Sequence, residues 1–180
     1  MDPFDVLNLA PRFDLRSADV ERAYLAAVGG AHPDAGGGGG GAPMGSSAAD
    51  AAEINDARRI LVDPERRAEA LLARLGGPGK DADRSLPDCF LMEVMELRQQ
   101  IEADLEAEGS GARARWEAWA QEQREERIAS VGALFAGLGD PPDPAQLGAI
   151  RTELNAWRYL ERLIEQLDPE YDPSASDFDR

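Results

Sequence analysis

The chain has 180 residues, 43% of them hydrophobic, and carries a formal net charge of −16 at pH 7. This length is sufficient for one domain or for two small ones, each with a packed core. The acidic balance excludes the basic surface that nucleic acids require, so we expect no nucleic-acid partner.

Further features of the composition limit the class of protein. No apolar stretch approaches the length of a membrane span, and the N-terminus opens with acidic residues where a secretory signal has basic ones. The single cysteine, Cys89, excludes an internal disulfide and a cysteine-based zinc site. We therefore expect a cytoplasmic protein with no membrane partner. Alanine, leucine, glutamate and arginine dominate the sequence, which favours an all-α fold.

Residues 1–77 are predicted to form three or four helices. A short apolar element covers residues 4–9, and Asp63-Pro64 is a helix-start signal later in the segment. Two longer helices are expected between them, one after Ser17 and one from about residue 48 to 62. Apolar residues at helical spacing define the first of these helices: Val20, Tyr24, Leu25 and Val28.

The tripeptide His32-Pro33-Asp34 lies between these two longer helices, at the tip of a predicted hairpin. His32 is the only histidine, so a second one cannot complete a metal site or a catalytic dyad. Six consecutive glycines occupy positions 36–41. Because residues 35–47 cannot bury enough apolar surface to offset their ordering, we expect a flexible loop there. The tripeptide is either an ordinary turn containing proline or an exposed element that a partner can reach.

Residues 78–87 have the composition of a linker, and the following residues predict three helices at about 88–108, 112–138 and 144–168. The breaks at residues 109–111 and 139–144 are short, which favours an antiparallel three-helix bundle. Residues 169–180 are expected to form a frayed tail.

The first helix of this bundle carries two apolar faces. Leu91, Met92 and Met95 lie in one sector among charged residues, and a helix in a simple bundle does not need this second face. It either packs against the first domain or forms an exposed protein-binding patch, for which methionine is well suited. The other sector predicts the core stripe: Phe90, Val94, Leu97, Ile101 and Leu105.

The last helix is predicted to extend this patch. Tyr159 points away from the apolar side of that helix, and with Leu160 and Leu163 it would continue the patch across neighbouring helices. The alternative is an exposed tyrosine without a function.

Taken together, these segments resemble the HscB/Jac family, the J-domain co-chaperones of iron–sulfur cluster assembly. The matching segments are MDPFDVLNL at 1–9, HPD at 32–34, INDARRILVDPERRAEALLARLGG at 54–77, FLMEVMELR at 90–98 and RYLERLIEQLD at 158–168. The resemblance implies an L-shaped, all-α protein with an N-terminal J domain at 1–77 and a C-terminal client-binding bundle at 88–168.

The resemblance also implies two partners and the residues that meet them. The J domain of the family engages a DnaK/HscA-type chaperone and stimulates its ATP hydrolysis, here through His32, Pro33 and Asp34. The bundle holds an IscU-type iron–sulfur scaffold protein. The residues that would face the scaffold are Leu91, Met92, Met95, Glu96 and Tyr159, with Arg98 and Gln99 at the rim. None of these residues performs bond chemistry, so we expect neither an enzyme nor a resident metal or cofactor.

This chain departs from the family pattern around the tripeptide. The helix before it offers only Arg22 where J domains carry several basic residues, and Ala35 replaces the usual lysine after it. We therefore expect weak electrostatic steering of the chaperone encounter. Four arginines of the following helices are candidates to compensate: Arg58, Arg59, Arg66 and Arg67.

Two other functions remain alternatives. A J-domain protein could serve a different client through the same bundle, and Gln99 at the rim is the feature that invites this interpretation. A non-chaperone helical interaction module, in which the tripeptide is only a turn, would stimulate no ATPase.

Overall fold

A computed structural model of the chain describes residues 1–31 and 48–165. The tripeptide at 32–34, the predicted loop at 35–47 and the predicted tail at 169–180 lie outside the described residues. Within the described ranges every regular element is helical, which confirms the predicted all-α class. The helices are α1 (Pro3–Val6), α2 (Ser17–Ala31), α3 (Ala48–Val62), α4 (Pro64–Arg74), α5 (Phe90–Glu108), α6 (Ser110–Ala136) and α7 (Pro144–Glu165).

The chain divides into two compact units, Met1–Gly77 and Pro78–Arg180. None of the helices in the described ranges is both long enough and apolar enough to cross a membrane.

In the first unit, α2 and α3 form an antiparallel hairpin. Tyr24 donates a hydrogen bond to Asn55 at 3.0 Å, and the Arg58 guanidinium binds the Glu21 carboxylate at 2.9 Å. α1 and α4 both pack on α3, and Arg74 joins them by bonding Asp2 and Asp5 of the N-terminal segment. The core contains these apolar side chains: Phe4, Leu7, Phe13, Leu15, Val20, Ile54, Ala57, Leu61, Ala68, Leu71 and Leu72.

Local sequence signals explain where several helices begin. The Asp63 carboxylate accepts hydrogen bonds from the amides of Glu65 and Arg66, and Pro64 follows it as the first helical residue. This confirms the predicted cap of α4. The Asp143 carboxylate accepts from the Ala145 amide at 2.8 Å in the same way at the start of α7.

α2 forms where the apolar spacing predicts a helix, and its apolar side chains differ in exposure. Val20 is buried, but Leu25 is 66% exposed and Val28 is 40% exposed. The apolar spacing therefore identified the helix correctly but does not by itself say which of its apolar side chains are buried. Leu25 and Val28 lie one turn apart on a helix whose packed side faces α3.

The second unit is an antiparallel bundle of α5, α6 and α7, and each pair of these helices is in contact. α6 begins at Ser110, two residues before its predicted start, because Gly109, with a φ of +58°, interrupts the helix by itself. α6 and α7 are joined by a bidentate pair in which Arg124 binds Glu161 at 2.7–2.9 Å, and Arg127 binds Glu153 at 2.7 Å. The bundle core includes Ile101, Ala112, Trp116, Ala120, Leu160, Leu163 and Ile164.

Candidate protein-binding site on the second unit

α5 presents one face to the bundle core, as predicted. Ile101 is buried, and Val94, Leu97 and Leu105 are half-buried against the same cluster. Near the other end of the helix, Asp104 accepts a hydrogen bond from the indole nitrogen of Trp116 at 3.2 Å. These contacts fix the rotation of α5 about its axis. The side chains outside this stripe are therefore held in defined directions.

The second apolar face of α5 is exposed to solvent. Leu91 is 52% exposed, Met92 60% and Met95 64%, and we call these three residues the Leu-Met patch. Large apolar side chains on a surface usually mark a binding site when they are contiguous. Methionine suits such a site because its flexible thioether adapts to irregular partner surfaces.

Tyr159 of α7 lies beside the start of α5. Its ring meets the ring of Phe90 edge-on, with centroids 6.2 Å apart, and the residue is 40% exposed. This contact places a half-exposed aromatic ring next to the helical turn that carries Leu91 and Met92. The rings stabilise each other's positions, since edge-to-face pairs add about 0.5–1.5 kcal/mol to simple burial.

The expected extension of the patch along α7 was wrong for Leu160 and Leu163. Leu160 and Leu163 are 6% and 3% exposed and belong to the core around Ile101 and Trp116. Neighbouring positions on a helix are about 100° apart, so a residue directly after an outward-facing tyrosine can point inward.

Glu96, which is predicted to face the scaffold, and the predicted rim residues Arg98 and Gln99 are also on the surface of α5. Glu96, Arg98 and Gln99 are all exposed and occupy the next turn after Met95. Acidic side chains are frequent along this helix, with Glu93 in its first turn. The site is thus a small exposed apolar surface among charged side chains.

The first unit contributes the helix that leads directly to the tripeptide. α2 ends at Ala31, so the residue that follows the last described position of this helix is His32. The role of His32, Pro33 and Asp34 remains a prediction, because these residues lie outside the described ranges.

Arg22 of the weakly basic α2 is paired with a carboxylate of the first unit, and so are three of the four arginines expected to compensate for it: Arg58, Arg59 and Arg66. Arg22 binds Asp19 at 3.1 Å, and Arg58 binds Glu21 and stacks over the Tyr24 ring. The hydrogen bond that Arg58 donates to the Glu21 carboxylate raises the pKa of Arg58. Each of these charges is therefore partly neutralised by a neighbouring carboxylate.

Arg67 cannot serve as a compensating surface charge. It is 6% exposed, donates to the Leu61 carbonyl at 2.8 Å and lies over the Phe13 ring. Burial lowers the pKa of this guanidinium. The expectation for Arg67 was wrong because its position one turn into α4 faces the core of the unit.

The contact at residues 83–85 is not among the features predicted from the sequence. Asn155 of α7 binds two carbonyls of the segment before α5, those of Asp83 and Ser85. Arg151, one turn earlier on α7, is buried. In the sequence, this contact is indicated only by Arg151 and Asn155 themselves, a polar pair one turn apart within the apolar run of α7.

In the described ranges no group of three or more histidine, cysteine, aspartate or glutamate side chains is arranged to hold a metal ion. In the described ranges the chain belongs to the class of all-helical proteins, and it carries an exposed apolar patch on a charged helix. Similarity to known proteins defines the family within this class.

The family model described as the HSCB C-terminal oligomerisation domain matches residues 86–168. The co-chaperone protein HscB homolog of Burkholderia mallei is 33% identical over 138 residues, which cover 76% of this chain and 79% of that protein. The homolog of Aeromonas hydrophila is 28% identical over 169 residues, covering 93% and 95%. The chain belongs to the HscB co-chaperone family.

Solved structures share the fold. Chaperone HscB from Vibrio cholerae has a TM-score of 0.70 at 23% identity and covers 93% of this chain and 95% of its own. Human co-chaperone protein HscB has a TM-score of 0.68 at 21% identity, covering 93% and 80%. These similarities confirm the fold class, an N-terminal J domain followed by a C-terminal helical bundle.

Proposed function

We propose that this protein is a cytoplasmic co-chaperone of iron–sulfur cluster assembly that couples two partners. The N-terminal unit, residues 1–77, acts as a J domain that stimulates ATP hydrolysis by a DnaK/HscA-type chaperone. The helices within residues 88–168 hold an IscU-type scaffold protein. The exposed Leu-Met patch is the observation that carries the proposal, since family membership supplies the class of partner and the patch supplies a surface for it.

The scaffold-binding surface consists of the Leu-Met patch, Tyr159 and the charged residues next to them. The patch and Tyr159 supply apolar area, because their exposed parts lose contact with water when a partner covers them. Glu96, Arg98 and Gln99 supply polar groups around that area, as in a typical interface with an apolar centre and a polar rim.

The chaperone-directed surface consists of His32, Pro33 and Asp34. Stimulation requires no bond chemistry from these residues, because hydrolysis occurs in the chaperone. The co-chaperone shifts the population of the chaperone by binding its hydrolysis-competent conformation more tightly than its other conformations. The protein is therefore not an enzyme in this proposal and uses no cofactor.

Two separate assays test the two halves of the proposal. Isothermal titration calorimetry of the full chain with the host's IscU-type scaffold should give saturable one-site binding, and Met95→Asp should weaken it. Single-turnover ATPase assays with the host's DnaK-type chaperone should show acceleration by the wild type and none by His32→Gln. Scaffold binding without stimulation of the chaperone's ATP hydrolysis would indicate a helical adaptor without J-domain activity. Stimulation of ATP hydrolysis without scaffold binding would indicate a different client.

A further inference from the structure

Within the second unit, one face of α7 holds the backbone that leads into α5. The half-buried Asn155 donates from its side-chain amide to the carbonyl oxygens of Asp83 and Ser85, at 3.0 Å each. Both hydrogens of this amide group are therefore used on one short stretch of backbone. The stretch also has a contact of its own, because the Asp83 carboxylate accepts from the Ser85 amide at 2.9 Å.

The same face of α7 makes two more contacts with this part of the chain. Hydrogen bonds from Ser85 lower the pKa of Asp83, and the positive charge of the buried Arg151 adds to this effect. Two turns after Arg151, the ring of Tyr159 meets the ring of Phe90 with centroids 6.2 Å apart. Positions i, i+4 and i+8 share one face of a helix, so α7 follows the chain from residue 83 to the start of α5.

The start of α5 receives little support from its own sequence. Cys89 occupies the N-cap position, and its side chain makes no capping hydrogen bond, unlike the aspartates that begin α4 and α7. The φ of Cys89 is +64°, in the left-handed region that favours glycine. The first turn of α5, which carries Leu91 and Met92, therefore depends on the contacts of the residues just before it.

We propose that Asn155 is a positioning residue for scaffold binding, which acts by holding residues 83–85 on α7 and thereby fixing the first turn of α5. The proposal rests on the proposed function, since it concerns the surface assigned there to the scaffold. Side chains that already have their bound arrangement lose less conformational freedom when a partner covers them. Asn155 therefore contributes to affinity through the orientation of Leu91 and Met92, without itself belonging to the Leu-Met patch.

Asn155→Ala and Asn155→Asp in the full chain should each raise the Kd for the scaffold about three- to tenfold. Aspartate keeps the shape of asparagine but lacks both donors. The apparent Kd rises as the fraction of molecules with a formed binding surface falls, so this range corresponds to a first turn formed in about a third to a tenth of the molecules. Thr152→Ala is the matched control, because the Thr152 hydroxyl donates to the Gly148 carbonyl within α7. Its Kd should equal that of the wild type.

Hydrogen exchange measures whether Asn155 holds the start of α5. The amides of Ser85, Met92 and Glu93 are hydrogen-bonded in this region. Their exchange should become at least about fivefold faster in both Asn155 variants and keep the wild-type rate in Thr152→Ala. A higher Kd with unchanged exchange would show that Asn155 contacts the scaffold directly, and this result would overturn the positioning role.

A double-mutant cycle separates positioning from a general loss of stability. A frayed first turn loses the contacts of its own side chains, so its direction no longer matters in a chain that carries Leu91→Ala and Met92→Ala. In that chain Asn155→Ala should change the Kd by less than about 1.5-fold, whereas in a Gln99→Ala chain it should keep its full effect. NMR titration with the purified scaffold measures these Kd values, including those of weak complexes.

The remaining results distinguish the positioning role from the proposed function. An equal effect of Asn155→Ala in both backgrounds would overturn the positioning role, because the loss would then not pass through the first turn of α5. Unchanged exchange together with an unchanged Kd would also overturn it, while scaffold binding by the wild type would still support the proposed function. A folded wild-type chain that binds no scaffold would refute the proposed function and the positioning role with it.

Discussion

Met92→Asp is expected to weaken scaffold binding by roughly 30- to 1,000-fold. Complete burial of a methionine side chain stabilises by about 1.5–3 kcal/mol. Because Met92 is 60% exposed, about 1–2 kcal/mol of this is still to be gained when a partner covers it. An unpaired carboxylate at the same place costs about 1–2 kcal/mol more. The total of about 2–4 kcal/mol corresponds to that range in Kd.

The same substitution should leave the fold nearly unchanged. Met92 is the third residue of α5, so an acidic side chain there interacts favourably with the N-terminal end of the helix dipole. This gain of about 0.3–1 kcal/mol offsets the lower helix propensity of aspartate, which is smaller than about 0.7 kcal/mol. The Tm should therefore stay within about 3 °C of the wild-type value.

Isothermal titration calorimetry with the purified scaffold measures the change in Kd, and circular dichroism measures the Tm. Gln100→Asp is the matched control, because Gln100 is exposed on the same helix but lies on the other side of the core stripe. It introduces the same charge and should bind the scaffold like the wild type. Equal losses of scaffold affinity in both variants would show that net charge causes the effect. A drop in Tm of more than about 10 °C in Met92→Asp would show that the Leu-Met patch belongs to the core. Either result would refute the reasoning.

Three further outcomes are expected. Tyr159→Ala should raise the Kd for the scaffold about three- to thirtyfold, because the variant loses apolar burial and the ring contact with Phe90. ATPase stimulation without the scaffold should stay unchanged. An unaltered Kd would confine the binding site to α5. Ile101→Ala should destabilise the bundle by about 2–4 kcal/mol in urea titrations, and a loss below about 1 kcal/mol would contradict its core position. The stimulation of the chaperone's ATP hydrolysis should change less than about threefold between 50 and 200 mM salt, because α2 exposes the apolar Leu25 and its Arg22 is paired with Asp19. A change above about tenfold would show that charge drives the encounter.

The sequence predicted the two faces of α5 because both rest on helical periodicity within one element. Val94 and Leu97 fall on the core side and Met92 and Met95 on a second face, as their spacing of about 100° per residue requires. The spacing left open whether this second face is packed or exposed, and the structure shows it exposed. Boundaries were accurate where a residue has a defined capping role, as Asp63 and Asp143 have.

Periodicity failed where the environment depends on which neighbours exist. Leu25 and Val28 recur at helical spacing with the buried Val20, yet both are exposed, so the spacing alone does not show which side of α2 is packed. Leu160 follows an outward-facing tyrosine and nevertheless points into the core. Asn155 binds the backbone of residues 83–85, about 70 positions away; the polar pair of Arg151 and Asn155 indicates a polar contact on α7, but no local pattern identifies the partner segment.

The measurement that tests the central claim most directly is single-turnover ATP hydrolysis by the host's DnaK-type chaperone, with the wild-type chain and with His32→Gln. The account predicts acceleration by the wild type that disappears in His32→Gln, while both proteins keep the same Tm and the same affinity for the scaffold. A folded wild-type chain that binds the scaffold but leaves the rate of hydrolysis unchanged would contradict the account and indicate a helical adaptor without J-domain activity.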